Sequence, residues 1–529
     1  MTTFSDILTS GYGFADPAIT LGAAIEHGTT HPEPKIRIPL AMLNRHGLVA
    51  GATGTGKTRT LQLMAEQLSN AGVPVFISDI KGDLQGLAVA GEGNERITSR
   101  AADIGYPWKP AASPVEFVSL TGKLGAQLRA TVSSFGPLLL AKALELNETQ
   151  SSVLAMVFKY CDDQGLLLLD FSDLRAVLQF LTSDEAKDEL REYGALSRAS
   201  VGVLLRKMVQ LEEQGAERFF GEPEFDVHDL LATAPDGRGI ITCLEVADIQ
   251  DKPALYSTFM MWLLAQLYHT LPEAGDLPKP KLAFFFDEAH LLFDDAPKAF
   301  LDQVEQVVRL VRSKGVGIFF VTQTPKDVPS DVLAQLGNRV QHALRAHTPD
   351  DEAALRATAR TYPKTEFYDL EETLTTLGTG EAVVSGLNPR GVPTPVVACR
   401  LIPPAARMDT LTPDEFKAEL SQSDLMREYG TAVDRESARE MLEKRVEGQR
   451  SRVEEAEPSS PSPLRTQGRA AESRRQPARD SAMQTTTKRV LGAMGTSVGR
   501  AVGNAIVRGL LGALGVRATR RTTRTRSWF

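Results

Sequence analysis

Eight consecutive residues, Gly51-Ala52-Thr53-Gly54-Thr55-Gly56-Lys57-Thr58, fill the pattern G-x-x-x-x-G-K-[ST] at every position. The glycines let the backbone curl so that successive N–H groups point inward at phosphate oxygens, and a helix beginning there adds its partial positive charge. In such a cradle Lys57 would reach the β- and γ-phosphates of a nucleotide and Thr58 would ligate Mg²⁺. Two further stretches end on groups suited to the same chemistry. Lys281-Leu282-Ala283-Phe284-Phe285-Phe286-Asp287-Glu288 is an apolar run closing on adjacent carboxylates, which are too costly to bury unpaired and so are expected beside the phosphates. Asp287 would hold the Mg²⁺, and Glu288 would polarise the water that attacks the γ-phosphate. Val316–Thr322 leads to Gln323, a neutral amide able to hydrogen-bond the γ-phosphate or the water and so to tell triphosphate from diphosphate. Thr324-Pro325-Lys326-Asp327 lacks the Asn and the spacer of a guanine-reading N-K-x-D sequence, which excludes a GTPase assignment on that motif.

These groups need a strand before the glycine loop and a helix after it. His46-Gly47-Leu48-Val49-Ala50 is a short apolar run ending on Gly51, and Arg59–Leu68 repeats its apolar residues at helical spacing. Val73–Asp79 reads as another buried strand with an acid at its carboxyl end. Further strands are expected at Pro114–Leu120, Gly239–Val246, Arg339–Arg345, Glu381–Ser385 and Thr394–Leu401. Several are continuous apolar runs, the pattern of strands covered on both faces, and helices alternate with many of them. That predicts an α/β fold, a mostly parallel sheet with its ligand at the carboxyl ends of the strands. From Thr121 to about Leu231 the strand signal gives way to amphipathic helical segments such as Gln150–Cys161, Phe171–Leu181 and Ser200–Glu213, an all-α insertion.

The 529 residues carry a net charge of −8, distributed unevenly. Nine Lys and Arg follow Asp480, the last acid, so the body carries −17 and the tail +9. A body this acidic is no broad nucleic-acid surface, and any basic groove must be local. The cysteines, Cys161, Cys243 and Cys399, form no C-x-x-C, which excludes a disulfide framework and a zinc site and fits a reducing, cytoplasmic setting. The N-terminus lacks a basic segment followed by an apolar one, and no apolar run approaches the roughly twenty residues of a spanning helix. Asp424–Arg452 is strongly charged and reads as a solvated helix or coiled coil. A Ser/Pro/Arg-rich stretch follows that is too polar to order itself. Val490–Val516 mixes aliphatics with many glycines, a helix that orders only against a partner, an oligomerisation helix or a membrane-surface helix.

Taken in order, the motifs resemble the HerA/FtsK superfamily of P-loop ATPases, in particular its bacterial HerA-like group. The resemblance runs from about Phe14 to Pro404. It rests on the glycine loop with Asn44-Arg45-His46-Gly47 before it, Asp79-Ile80-Lys81-Gly82-Asp83-Leu84, Ser134–Leu140 with Leu146–Gln150, Asp287-Glu288-Ala289-His290 and Asn338–Arg345; Arg508-Gly509-Leu510-Leu511-Gly512 also looks like this group's tail. It implies a RecA-like core that binds ATP and Mg²⁺, forms hexameric rings and shares each ATP between subunits, with an arginine completing the site. Arg45 and Arg312 match the superfamily's arginine positions, with Arg309 and Arg345 in reserve. The implied organisation is a short segment 1–45, a RecA-like core in two parts (46–120 and 236–405) around a helical insertion (121–235), a charged helical region (406–456), a disordered linker (457–487) and a basic Gly/Ala-rich tail (488–529). DNA-processing members often carry a small β-barrel before the core, which 1–45 is too short to hold. Three functions stay open: a ring motor that translocates DNA, an ATPase that moves or remodels protein partners, and a nucleotide-gated scaffold whose helical insertion and tail bind partners.

Overall fold

The computed structural model describes residues 3–456 apart from 187, 188, 192, 195 and 294–297. The linker expected at 457–487, the tail at 488–529 and the helix readings of 490–516 lie outside the described residues. Among those described, twelve strands follow in chain order: β1 (Ala18–Glu26), β2 (Thr29–Pro39), β3 (Gly47–Ala50), β4 (Val75–Asp79), β5 (Val115–Ser119), β6 (Ala126–Gln127), β7 (Ile241–Glu245), β8 (Leu282–Phe286), β9 (Val316–Thr322), β10 (Asn338–His342), β11 (Glu381–Ser385) and β12 (Val397–Leu401). They form a single sheet in the order β2-β1-β12-β11-β10-β3-β9-β8-β4-β7-β5-β6. From β10 to β6 every pairing is parallel, whereas β11, β12, β1 and β2 add an antiparallel wing.

Both faces of the parallel part are covered, which is why its strands read as unbroken apolar runs. Along β8, Leu282, Phe284 and Phe286 join one core, with the helices Val132–Ala143, Glu148–Gln164 and Pro253–Thr270. Ala283 and Phe285 join the other, with Leu61, Met64, Ala65 and Leu68 of the helix Lys57–Asn70. Rings repeat across the register: Phe285 stacks on Phe319 at 4.9 Å and Phe286 on Phe320 at 5.5 Å. Truncating any of these to alanine costs about 3–5 kcal/mol. The helix Pro253–Thr270 is buried on nearly all sides; no helix among the described residues is long and apolar enough to cross a membrane.

The short segment 1–45 holds the helix Phe4–Tyr12 and the β1–β2 hairpin, which extends the sheet through Ala24 opposite Cys399. Two sequence expectations change. β10 stops at His342, three residues short of the expected end. The charged region is no free-standing coiled coil. It divides into Asp424–Tyr429 and Ala438–Ala456, and Leu425, Tyr429, Ala438 and Leu442 are buried in the helical-side core. Between Thr121 and Leu231, β6 is a two-residue exception to an otherwise helical segment.

After β12, residues 402–409 cross the P-loop helix as a strap. Ala405 N donates to both Glu66 carboxylate oxygens at 2.9 Å, Ala406 N donates to Oε2 at 3.2 Å, and Gln62 Nε2 donates to the Arg407 carbonyl at 2.6 Å. Burial pushes the Glu66 carboxyl up to about 7, against the lowering by those two N–H groups. A raised carboxyl pKa means that the folded chain holds a proton the unfolded chain has released. Stability from this group is therefore present below about 4.5, the ordinary value, and is lost as pH rises through about 7. Glu66→Gln removes the titration, so the melting temperature of the parent relative to Glu66→Gln is expected to fall as pH goes from about 5 to about 8; a pH-independent difference would contradict this.

Candidate active site

β3 ends at Ala50, and the glycine loop turns out of the carboxyl edge of the sheet between β10 and β9. Gly51 N donates to the Thr322 and Gln323 carbonyls at 3.2 and 3.1 Å, and Ala52 N to the Ala343 carbonyl at 2.8 Å, so the ends of both neighbouring strands hold the loop. The glycines are required by geometry. Gly54 has φ +79° and Gly56 φ +109°, and a Cβ on Gly51 would lie 2.4 Å from His342 Cβ. The Thr55 hydroxyl closes the turn onto the Ala52 carbonyl at 2.7 Å. Lys57 opens the helix with its side chain folded back under the loop, where among the described residues Nζ finds only the Ala52 carbonyl at 3.4 Å. Burial lowers the Lys57 pKa, Lys81 adds to that lowering, and Glu288, Asp287 and Asp327 oppose it. Thr58 is the helix's second residue and is half-buried.

Asp287 and Glu288 leave the end of β8 at the same edge. The Asp287 carboxyl is 2 % exposed and its Oδ2 has no hydrogen-bond partner. Burial, then the charges of Asp79, Glu288 and Asp83, raise it to about 7. Asp79, Asp83 and Asp287 bring one carboxylate oxygen each within 4.8 Å of one another. Asp79 is raised by burial despite the N–H groups of Gly82 and Leu84 at 2.8 and 2.9 Å, and its neighbour on β7, Glu245, is raised by burial and by Asp79. Glu288 has φ +45°, a strained backbone for a residue with a Cβ and a common mark of functional positions. Its Oε1 is paired with the Lys81 ammonium, while Oε2 has no hydrogen-bond partner and lies 3.3 Å from His290 Nδ1.

Gln323 is exposed at the end of β9, one strand from the loop, with its own carbonyl bound to Gly51 N. Asp327, from the sequence set aside above, accepts from the hydroxyls of Thr322 and Thr324 at 2.7 Å and braces that turn. His342 sits beneath the loop, its Nε2 2.8 Å from Thr60 Oγ1; burial, then the Lys57 charge, lower it to about 4, so it is neutral at pH 7. Arg45 and Arg312 do not join this site. Arg45 precedes β3 and Arg312 lies in the turn Val311–Lys314 before β9, so both mark the amino edge of the sheet. Partial burial, then the nearby charge of Arg45, lowers the Arg312 pKa, and Asp276 opposes this.

The donor set fits a magnesium nucleotide. A buried lysine with one long contact, glycines whose space a Cβ would fill, and a buried carboxylate oxygen with no partner are complementary to phosphate oxygens and a divalent cation. Sequence reading named Lys81, Asp83 and His342 as parts of motifs without giving them a role.

The model of the helicase HerA-like C-terminal family matches residues 25–520. The DNA double-strand break repair helicase HerA of Sulfolobus acidocaldarius is 22% identical over 356 residues, 66% of this chain and 64% of the relative. The protein of the same description from Sulfurisphaera tokodaii is 22% identical over 376 residues, 70% of this chain and 68% of the relative. The chain thus spans a little under two thirds of the length of the first of these relatives. Among solved structures, the plasmid coupling protein TrwB with a GTP analogue aligns with TM-score 0.47 at 15% identity over 76% of this chain and 99% of that one. VirB4 of Thermoanaerobacter pseudethanolicus aligns with TM-score 0.43 at 16% identity over 74% and 98%.

Proposed function

This chain belongs to the helicase HerA-like C-terminal family, and from that premise we propose that it is an Mg²⁺-dependent ATPase working as a ring motor on DNA. The observation that carries the reading is the meeting, at one sheet edge, of a buried Lys57 beneath the glycine loop with Asp287 and Glu288 at the end of β8. Each part has a chemical task. The loop N–H groups and Lys57 bind the phosphates, and Thr58 and Asp287 are the residues that would hold Mg²⁺, which supplies charge neutralisation when bound. Glu288 accepts a proton from the attacking water through Oε2, the oxygen that Lys81 leaves free; Lys81 holds Oε1 and fixes the carboxylate's direction. Gln323 orients the water or the γ-phosphate, and Arg45 or Arg312 completes the charge from another subunit of a hexamer.

DNA is the favoured substrate because the relatives' descriptions name a DNA helicase and the tail 488–529 concentrates nine cations in an otherwise acidic chain. The test is ATPase activity with and without DNA, for the full chain and for a chain lacking Asp480–Phe529. DNA stimulation that weakens with salt and with loss of the tail is the expected result. ATP hydrolysis indifferent to DNA in both chains would transfer the assignment to remodelling of protein partners or to a nucleotide-gated scaffold.

A further inference from the structure

A cavity of about 260 Å³ opens in the helical layer, on the face of the sheet that holds Phe284 and Phe286. Four elements enclose it: the turn after the helix Val132–Ala143, the end of the helix Arg198–Glu213, the first turns of the helix Pro253–Thr270, and Phe300 of the helix Lys298–Leu310. The first of these joins the motifs Ser134–Leu140 and Leu146–Gln150, to which the nucleotide chemistry gives no task.

From this lining we infer that the cavity binds an apolar amino-acid residue with an acylated nitrogen and a free carboxylate, the chemistry of a polypeptide's C-terminal residue. The inference is independent of the nucleotide site.

Size and floor set the body of the ligand. The volume falls just below the roughly 300–1,000 Å³ that drug-sized ligands occupy, so one residue suits it and a nucleotide does not. Leu144, Leu211, Met261 and Phe300, each at most 5 % exposed, supply an apolar floor. Glu145 and Gln210 are exposed at the rim, so the ligand enters from solvent.

The polar groups set its ends. Thr258 is 3 % exposed, and among the described residues its hydroxyl has no hydrogen-bond partner, although a helical threonine commonly bonds the carbonyl one turn before it. The Gln214 Oε1 is likewise buried without a partner. Buried polar groups are as a rule satisfied, so two unsatisfied ones lining the same cavity point to a ligand that supplies what they lack. Charge narrows the choice. Lys207 is paired with Glu145 at 3.1 Å, but the half-buried Lys142 ammonium donates to the neutral Gln303 amide at 3.1 Å and among the described residues has no carboxylate at salt-bridge distance. Burial lowers the Lys142 pKa, and Asp302 opposes this. The helix Pro253–Thr270 starts at the cavity wall with no side chain capping it, which adds the partial positive charge of its N-terminus.

One unpaired ammonium and one helix terminus match a single negative charge, a carboxylate rather than a phosphate dianion. Such a ligand meets every demand at once: its carboxylate answers Lys142 and Thr258, its amide N–H answers Gln214 Oε1, and its side chain covers the floor. A free amino acid is disfavoured, because its ammonium would place a second cation beside Lys142.

The test titrates N-acetyl-leucine, its neutral amide and a tetrapeptide ending in leucine with a free carboxylate into the full chain by calorimetry. The acid is expected to bind about tenfold or more tighter than the amide, which forfeits a charge-assisted hydrogen bond. Lys142→Met keeps a long unbranched side chain and removes its charge, so it should bring the acid down to the level of the amide. Thr258→Val keeps the shape and should weaken the acid severalfold without lowering the melting temperature, since the hydroxyl it removes has no partner in the fold. A tetrapeptide that binds at least as tightly as N-acetyl-leucine assigns the cavity to a chain terminus; N-acetyl-leucine binding alone assigns it to a small acylated amino acid. Acid and amide bound equally by the parent, an acid preference that survives Lys142→Met, or no binding of any of the three at millimolar concentration overturns the inference.

Discussion

Purified Glu288→Gln protein is expected to bind ATP like the parent and to hydrolyse it at least about a hundredfold more slowly, because a general base contributes about 10²–10⁴ in rate. Lys57→Ala is expected to fail earlier, at binding. The difference follows from where the two side chains sit. Lys57 Nζ is buried under the loop with the Ala52 carbonyl at 3.4 Å as its hydrogen-bond partner, so its removal takes away the cation that meets the phosphates. Glu288 lies at the end of β8, and glutamine there preserves its volume and one acceptor while removing the basic oxygen that takes a proton from water. The Lys81 pairing sharpens the prediction. A glutamine at 288 leaves Lys81, which is about half exposed, with solvent as an alternative partner, so the fold should tolerate the change. Equilibrium binding of a fluorescent ATP analogue with single-turnover hydrolysis distinguishes the two steps, and wild-type hydrolysis by Glu288→Gln would remove Glu288 from the role of base.

The elements that carry this prediction were legible because their physics is local. The β3 strand, the glycine octamer and the first helical turn are contiguous, and β8 and β9 read as apolar runs stopped by Asp287 and Gln323. What escaped was long-range. Lys81 and Glu288 are 207 residues apart and meet only because β4 pairs with β8, which no periodicity reveals. β2 was missed for a different reason. Thr29–Pro39 contains three prolines and little alternation, features of an edge strand, and it lies at the margin of the sheet where unpaired edges tolerate them. The charged segment after Asp424 was read as solvated because charge dominates it, yet the spacing of Ala438 and Leu442 gives one buried stripe and packs the helix on Phe171–Leu181.

Mixing two inactive chains, Lys57→Ala and either Arg45→Ala or Arg312→Ala, is expected to restore ATPase activity. The sheet's direction supplies the reason. Parallel strands β3 and β9 deliver the glycine loop and Gln323 to the carboxyl edge, and the same strands begin beside Arg45 and Arg312 at the amino edge. Within one chain the length of a strand separates these arginines from the site they would complete, so an arginine that acts on nucleotide has to act on a neighbour's. Arg45 and Arg312 both act on buried His46, which burial first and these charges after it lower to about 4, so it is neutral at pH 7. Two like charges side by side disfavour each other; Asp276 offsets this at Arg312, and the triphosphate of an adjoining subunit would offset it further. The variant of the arginine that acts should alone lose about a thousandfold or more in turnover, in line with other arginines that stabilise phosphoryl-transfer charge. In a mixed ring, the arginine variant contributes an intact Lys57 site and the Lys57 variant an intact arginine, so some interfaces regain every part. Recovery with only one of the two arginine variants identifies the acting residue. Mixed rings, verified as mixed, that stay inactive with both would assign the arginines to holding the amino edge of their own sheet.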